Sequence, residues 1–177
     1  FFFKQKTAYE IPKRDWSSDV CSSDLALEDL TQAIGFDGLA EGQMRDLRDD
    51  PVQRDVVALR RINDLKTGAL FVAAARGGGR MGGGDADDLA RLAAFGEAVG
   101  FAFQLCDDLM DACSTSEALG KDVGQDQGVT TFVDLWGEGR VRAGVRQSLA
   151  RAAEAVGHDS PLTTYVLHLF RQAELGR

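Results

Sequence analysis

The sequence predicts an all-α fold, a conclusion that rests on three observations. Hydrophobic residues make up 44% of the 177 residues and charged residues 27%, a balance typical of globular chains. Only three prolines are present, so long helices are possible. Apolar residues recur at helical steps over most of the chain, and no convincing strand pattern appears. A chain of this length is one domain or a piece of a larger one.

Residues 1–25 are set apart because they have no helical or strand periodicity. We interpret them as translated sequencing adapter, since 3–11 and 15–25 match, in one reading frame, two oligonucleotides used in library preparation. Scars of this kind are excluded from fold reasoning. The alternative is a natural disordered arm. We therefore expect native sequence over 26–177, and we expect that the gene originally continued upstream of Ala26.

The remaining chain divides into five predicted helices, over 27–47, 52–76, 85–112, 130–157 and 161–175. Pro51 is expected in the first turn of the second helix, where its missing N–H costs nothing. The glycine-rich run 77–84 predicts a connector, since no strand precedes it as a phosphate-binding loop would require. A polar loop is expected over 113–128, and Gly137 is expected to interrupt the fourth helix.

Composition excludes several classes of function. The net charge of −8 argues against a nucleic-acid binder, which normally has a basic face. The longest apolar run, Ala69 to Ala75, is too short to span a membrane. Three cysteines show neither metal-binding spacing nor an even disulfide framework. Reduced thiols predict a cytoplasmic protein.

The motif FQLCDDLMD, residues 103–111, is the strongest candidate for a functional site. At about 100° per residue, Gln104, Asp107, Asp108 and Asp111 fall within one arc of roughly 100° on a helix. Magnesium prefers hard oxygen ligands, including one or two carboxylates. The alternative is a solvated acidic face. The largely apolar helix before the motif, and repulsion among three carboxylates near a helix C-terminus, favour a bound cation.

Two lysines are candidates for binding an anion beside this motif. Lys66 and Thr67 lie in a long apolar helix, where a lysine either extends to solvent or points at a ligand. Lys121 follows Asp111 by ten residues, on a loop that can fold back over the acidic motif. Each is also compatible with simple surface charge.

Four segments together resemble the trans-isoprenyl diphosphate synthases, the farnesyl and geranylgeranyl diphosphate synthase family. They are GQMRD (42–46), KTGAL (66–70), FQLCDDLMD (103–111) and GKDVGQDQG (120–128), in the family's order. The resemblance covers nearly all of 26–170. It implies the C-terminal part of an isoprenoid-synthase-type helical bundle around a deep cavity, usually a homodimer.

The resemblance also implies roles for individual residues. Asp107, Asp108 and Asp111 match an aspartate-rich motif that binds Mg²⁺. The positions matching contacts to the allylic diphosphate are Lys66, Thr67, Gln104 and Lys121. Phe103 matches an aromatic residue of the reaction cavity, and Gln43 and Asp46 lie on another cavity-facing helix. Asp107, Asp108, Lys66 and Lys121 are the expected catalytic residues.

The implied reaction joins an allylic diphosphate to isopentenyl diphosphate, giving a short-chain prenyl diphosphate. Two departures from the family pattern stand out. Val129 occupies a position where the family commonly has lysine, and the family's first aspartate-rich motif is absent after Ala26. We therefore expect a trans-prenyltransferase as the full-length parent and an inactive 177-residue chain. The alternatives are a non-catalytic partner subunit and a related terpene cyclase.

Overall fold

The computed structural model describes the backbone of residues 21–118 and 129–175, with side chains over 21–112 and 129–171. All regular elements in these ranges are helical, which confirms the all-α prediction. The α-helices are α1 (Ser22–Ile34), α2 (Leu39–Arg48), α3 (Val56–Asn63), α4 (Ala69–Met81), α5 (Ala86–Ala118), α6 (Phe132–Trp136), α7 (Glu138–Val156) and α8 (Pro161–Leu175). A π-helical segment, Asp64–Gly68, joins α3 to α4.

The core is built around α5, which lies between α4 and α7. Val99, Ala102 and Leu105 of α5 are buried together with Phe132 of α6 and Val141 of α7. By length and composition, Ala86–Ala112 could also cross a membrane, a test that the core helix of a soluble protein passes equally. Because α5 packs against helices on two sides, we interpret its apolar character as that of a core helix.

The prediction of one helix over 27–47 is wrong in one respect, because the helix is interrupted between α1 and α2. The break brings Gly38 against the end of α1, where a Cβ on Gly38 would lie 2.0 Å from the Ala33 carbonyl oxygen. Only glycine allows this approach. α1 also begins at Ser22, four residues before Ala26, while the origin of residues 1–25 stays a prediction.

The second predicted helix begins later than expected. Pro51 lies in a turn, and α3 begins at Val56 after Asp55, whose carboxylate accepts a hydrogen bond from the Ala58 N–H. The turn is held by residue 130, since the Thr130 N–H donates to the Pro51 carbonyl and the Thr130 hydroxyl to the Val52 carbonyl. These contacts across the sequence outweigh the local preference of proline for a first helical turn.

The glycine-rich run does not break its helix where predicted. α4 continues through Gly77–Gly79 to Met81 and ends near Gly83, which has a φ of +78°. Arg76 and Arg80 hold this part of α4 to α1 through ion pairs with Asp29. Tertiary contacts therefore stabilise a glycine-rich last turn that has low helix propensity of its own.

Gly78 provides a test of that explanation. It is exposed within α4, and a Cβ added there would meet no atom within 4 Å. We expect Gly78→Ala to raise the free energy of unfolding by about 0.5–1 kcal/mol, because alanine restricts the unfolded chain and favours helix. Urea denaturation measures the change. A loss of stability would show that the helical backbone at Gly78 is not the one described.

The C-terminal third follows its prediction closely. Gly137, with a φ of +78°, separates α6 from α7, and α8 covers the predicted closing helix. The helix before the predicted loop, α5, runs to Ala118 rather than to about Ala112. The loop therefore begins later than residue 113. Residues 119–128, including the rest of that loop, lie outside the described residues.

Candidate functional site

One face of α5 carries Gly96, Gly100, Phe103 and Asp107. Their spacing of four, three and four residues aligns them along the helix. A Cβ on Gly96 would lie 2.8 Å from the Phe71 carbonyl oxygen, and one on Gly100 would lie 3.2 Å from the Gly68 Cα. The missing side chains therefore let α5 touch the backbone of α4 and of the π-helical segment.

The π-helical segment is enclosed from its other side by α2. A Cβ on Gly42 would lie 2.4 Å from the Lys66 backbone nitrogen and 2.8 Å from its Cα. Gly42 is buried at this contact. Lys66 and Thr67 are thus carried by a backbone held between two helices, and π-turns of this kind occur frequently at functional sites.

Lys66 extends from this backbone into a group of charged residues. Its Nζ donates a hydrogen bond of 2.6 Å to Asp46 Oδ2 on α2. Its charge also reaches Asp107 on α5, where it favours the ionised carboxylate. The structure therefore brings together Lys66, Asp46 and Asp107, three of the residues that the sequence predicted as a site.

Burial raises the pKa of Asp107 above its ordinary value. The charge of Asp111 raises the pKa further, and Lys66 opposes both effects. A carboxylate in this setting gains from any additional cation, because a positive charge would offset both desolvation and repulsion. Asp107 is half-buried and Asp111 exposed, so both are reachable from solvent.

Asp46 has the opposite electrostatic environment. Burial acts to raise its pKa, but hydrogen bonds from Lys66 and from Arg54 outweigh burial and hold the pKa below its ordinary value. The Arg54 Nη1 donates to Asp46 Oδ1 over 2.7 Å, and Nη2 contacts the carbonyl oxygens of Asp46 and Asp49. Asp46 is therefore an ionised carboxylate between two cations.

Asp108 turns away from Asp107 towards α6. It is only 6% exposed, and burial raises its pKa even though two donors oppose the shift. The Gln104 amide donates to Oδ1 over 2.9 Å, and the buried Phe132 N–H donates to Oδ2 over 2.7 Å. Asp108 therefore links the beginning of α6 to α5, and its predicted role as a magnesium ligand stays a prediction.

α6 follows the segment that holds Lys121 in the sequence, and the start of α6 lies at the same end of the molecule as the charged residues. Thr130 is bonded to the turn at residues 51–52, as described above, and Phe132 is bonded to Asp108. Val129, just before them, is exposed. Lys121 itself lies outside the described residues, so its predicted place near Asp111 stays a prediction.

Apolar side chains border the charged group. The Phe103 ring lies 5.5 Å from that of Phe71, and 44% of Phe103 is exposed. Met110, seven residues further along α5, is exposed to the same extent. Gln43 is exposed on α2, three residues before Asp46. Asp107 thus lies on an open face between Phe103 and Met110.

The arrangement fits magnesium in one limited form. Among the side chains described, those of 21–112 and 129–171, no three His, Cys, Asp or Glu residues come together as a ready metal site. Magnesium, however, is usually held by one or two carboxylates together with phosphate oxygens and water. Asp107 and Asp111, four residues apart on one helix, offer such a pair, and their mutual repulsion favours a shared cation. Each oxygen of Asp108 accepts one hydrogen bond, from Gln104 or from the Phe132 N–H.

Comparison with known proteins identifies the family. The polyprenyl synthetase family model matches residues 17–133. The chain belongs to the polyprenyl synthetase family. The matched range contains Gln43, Asp46, Lys66, Phe103 and the aspartates of α5, so the site described above lies within the range that the family model matches.

Relatives of this polyprenyl synthetase chain agree with the assignment. It is 37% identical over 134 residues to geranylgeranyl pyrophosphate synthase 3 of Arabidopsis thaliana, covering 73% of this chain and 37% of that protein. It is 36% identical over 129 residues to the geranylgeranyl diphosphate synthase of Pantoea ananas, covering 73% of this chain and 42% of that protein. The chain therefore spans less than half the length of these relatives.

Solved structures show the same fold. The FPP/GFPP synthase of Zymomonas mobilis superimposes with a TM-score of 0.69 at 30% identity, over 84% of this chain and 50% of that one. The geranyltransferase of Helicobacter pylori, solved with magnesium and isoprenyl diphosphate, superimposes with a TM-score of 0.67 at 23% identity, over 86% and 52%. These likenesses confirm the predicted isoprenoid-synthase-type bundle.

One charged residue of the site escaped prediction from the sequence. Arg54 lies in an irregular turn, where no helical periodicity assigns it a face. In the sequence, Arg54 is a charged residue shortly after Asp49 and Asp50, and a charged residue in such a stretch is expected to be exposed to solvent. Its burial beside Asp46 follows only from the folded turn.

Proposed function

We propose that the full-length parent of this chain is a magnesium-dependent trans-prenyltransferase. It would condense an allylic diphosphate with isopentenyl diphosphate to a short-chain prenyl diphosphate. The observation that carries this proposal is the placement of Lys66 close to Asp107 on a face bordered by Phe103. A cation, a metal-binding carboxylate and an aromatic surface together suit a substrate with a diphosphate head and an apolar tail.

In this proposal each group has a distinct part in the reaction. Lys66, with Thr67 beside it, binds diphosphate oxygens and favours departure of the diphosphate as the allylic C–O bond breaks. Phe103 and Phe71 face the allylic cation and exclude water that would capture it. The double bond of isopentenyl diphosphate then forms the new C–C bond, and loss of a proton restores neutrality.

Asp107 and Asp111 are the residues that would hold magnesium. When bound, magnesium supplies neutralisation of the diphosphate charge. The Helicobacter pylori structure with magnesium and isoprenyl diphosphate supports this choice of metal for the shared fold. Gln104 acts indirectly, because its amide hydrogen-bonds to Asp108 and fixes that carboxylate. Lys121 completes the proposed diphosphate contacts from the downstream loop.

We further propose that the 177-residue chain alone does not catalyse the reaction, that the active parent is a homodimer, and that it is cytoplasmic. The chain spans 37% of the Arabidopsis relative and 42% of the Pantoea relative. An enclosed, water-poor cavity requires walls on all sides, whereas Phe103 and Met110 face outward here.

Activity assays test the proposed function. Dimethylallyl diphosphate and labelled isopentenyl diphosphate are incubated with magnesium and either the 177-residue chain or the full-length gene product. We expect product only from the full-length protein, and we expect Lys66→Met and Asp107→Ala each to reduce its kcat by a factor of about 10²–10³. Arg91→Met, at an exposed ion pair on α5, is the control and should retain activity. Product formation by the 177-residue chain would refute the proposed inactivity.

A further inference from the structure

Lys66, Asp46 and Arg54 form a chain of two ion pairs that extends from the site into the protein. Lys66 Nζ and Arg54 Nη1 approach opposite oxygens of Asp46, over 2.6 Å and 2.7 Å. The Lys66 side chain is 39% exposed, Asp46 23% and Arg54 3%. The exposed end is therefore the cation available to a ligand, and the buried end is a second cation that a ligand cannot reach.

The charges of these two linked ion pairs matter because Asp46 competes with any anionic ligand for Lys66. A carboxylate with a single cationic partner would hold that lysine in a neutral pair. With Arg54 on its other oxygen, the same carboxylate is shared, and the group of three keeps a net charge of +1. Electrostatic attraction of an anion depends on this remaining charge.

The burial of Arg54 supports a role beyond stability. Its Nη atoms bond to Asp46 and to the carbonyls at the end of α2, yet its Nε is buried without a hydrogen-bond partner in the described part of the chain. An incompletely paired buried guanidinium costs stability, and replacing a whole buried ion pair by apolar residues of similar volume is often neutral or stabilising. The charge itself is what an apolar residue would not supply.

We propose that Arg54 is a positioning residue for anion binding, which acts on Lys66 through Asp46. By taking one carboxylate oxygen, Arg54 fixes the Asp46 side chain and leaves Lys66 only partly neutralised. Lys66 then remains able to bind a diphosphate. This inference rests on the proposed function, because it concerns the same diphosphate site.

Calorimetric titration of the 177-residue chain with inorganic pyrophosphate and magnesium tests the proposal. We expect Arg54→Met to weaken the affinity roughly tenfold, because the group of three residues then loses its net charge of +1. Asp46→Asn combined with Arg54→Met restores the net charge of +1, and should bring the affinity back to within about threefold of the original chain. Lys66→Met should abolish binding.

Arg80→Met is the matched control. Arg80 forms a partly buried ion pair with Asp29 at the far end of α4, roughly 20 Å along the helix from Lys66. Its loss should lower the Tm, as the loss of Arg54 does, without changing pyrophosphate affinity. A merely structural Arg54 would behave like Arg80, and the double substitution would then rescue nothing.

The outcomes separate the two proposals. If Lys66→Met weakens binding and Arg54→Met does not, or if the double variant binds as weakly as Arg54→Met, the role of Arg54 is refuted and the site stands. If the original chain and Lys66→Met bind pyrophosphate equally, or neither binds it, the diphosphate site itself is refuted and the role of Arg54 with it.

Discussion

Gly42→Ala is expected to lower the free energy of unfolding by about 3 kcal/mol, the upper range for overpacking a close contact. The new methyl group would lie 2.4 Å from the Lys66 backbone nitrogen and 2.9 Å from the Leu65 carbonyl carbon. These are backbone atoms and cannot rotate aside. α2 must therefore move away from the π-helical segment, which also separates Asp46 from Lys66. Urea denaturation measures the stability, and pyrophosphate titration measures the second effect.

The control for Gly42→Ala is the same chemical change at Gly78, which has open space around its Cβ position. The two substitutions are expected to shift stability in opposite directions, with a difference of about 4 kcal/mol. Equal effects at both positions would mean that α2 does not pack on Lys66 as described.

Asp108→Ala is expected to lower the free energy of unfolding by about 2 kcal/mol. The substitution removes the acceptor of the Phe132 N–H, and Phe132 is fully buried, so no water replaces it. An unsatisfied buried donor costs about 1–3 kcal/mol. Relative to the original chain, amide hydrogen exchange should increase most at the start of α6. The packing of Trp136 against Phe132 should be lost as well.

Asp107→Ala, at the neighbouring aspartate, is the matched comparison. Because burial and Asp111 raise the pKa of Asp107 in the folded chain, its ionised form is disfavoured by folding at neutral pH. Removing this carboxylate should leave stability unchanged or slightly increased. A large loss of stability for Asp107→Ala, with none for Asp108→Ala, would reverse the roles assigned to the two residues.

The helices were predictable wherever a stripe of apolar residues faces a continuous core. α5, α7 and α8 follow their periodicity closely, and Gly137 ends α6 as expected. Two of the errors fall on glycines. Gly38 allows an interruption between α1 and α2 that the spacing of apolar residues does not reveal. Gly77–Gly79 stay helical because Arg76 and Arg80 form ion pairs with α1. Whether a glycine ends a helix depends on contacts far away in the sequence.

The site was predictable in its residue types and less so in its geometry. Helical angles place Asp107 and Asp108 on one broad face, but the neighbours decide which way each carboxylate turns. The charge of Lys66 acts on Asp107, and the Phe132 N–H hydrogen-bonds to the buried carboxylate of Asp108. The approach of Asp46 to Lys66 depends on Gly42, a residue whose contribution is the absence of a side chain. Periodicity identifies the apolar face of a single helix, whereas these contacts join α2, the π-helical segment, α5 and α6.

The π-helical segment also limits how this chain can change in length. A turn with i→i+5 hydrogen bonds contains one residue more than an α-helical turn, so it accommodates that extra residue locally. Deleting one residue within 64–68 would relax the turn to an ordinary α-helical turn and leave α3 and α4 close to their present orientations. The deletion would, however, change the backbone of Lys66 that Gly42 contacts. Single-codon deletions in this segment should therefore leave a folded chain with weakened pyrophosphate binding, which a deletion scan with both readouts would show directly.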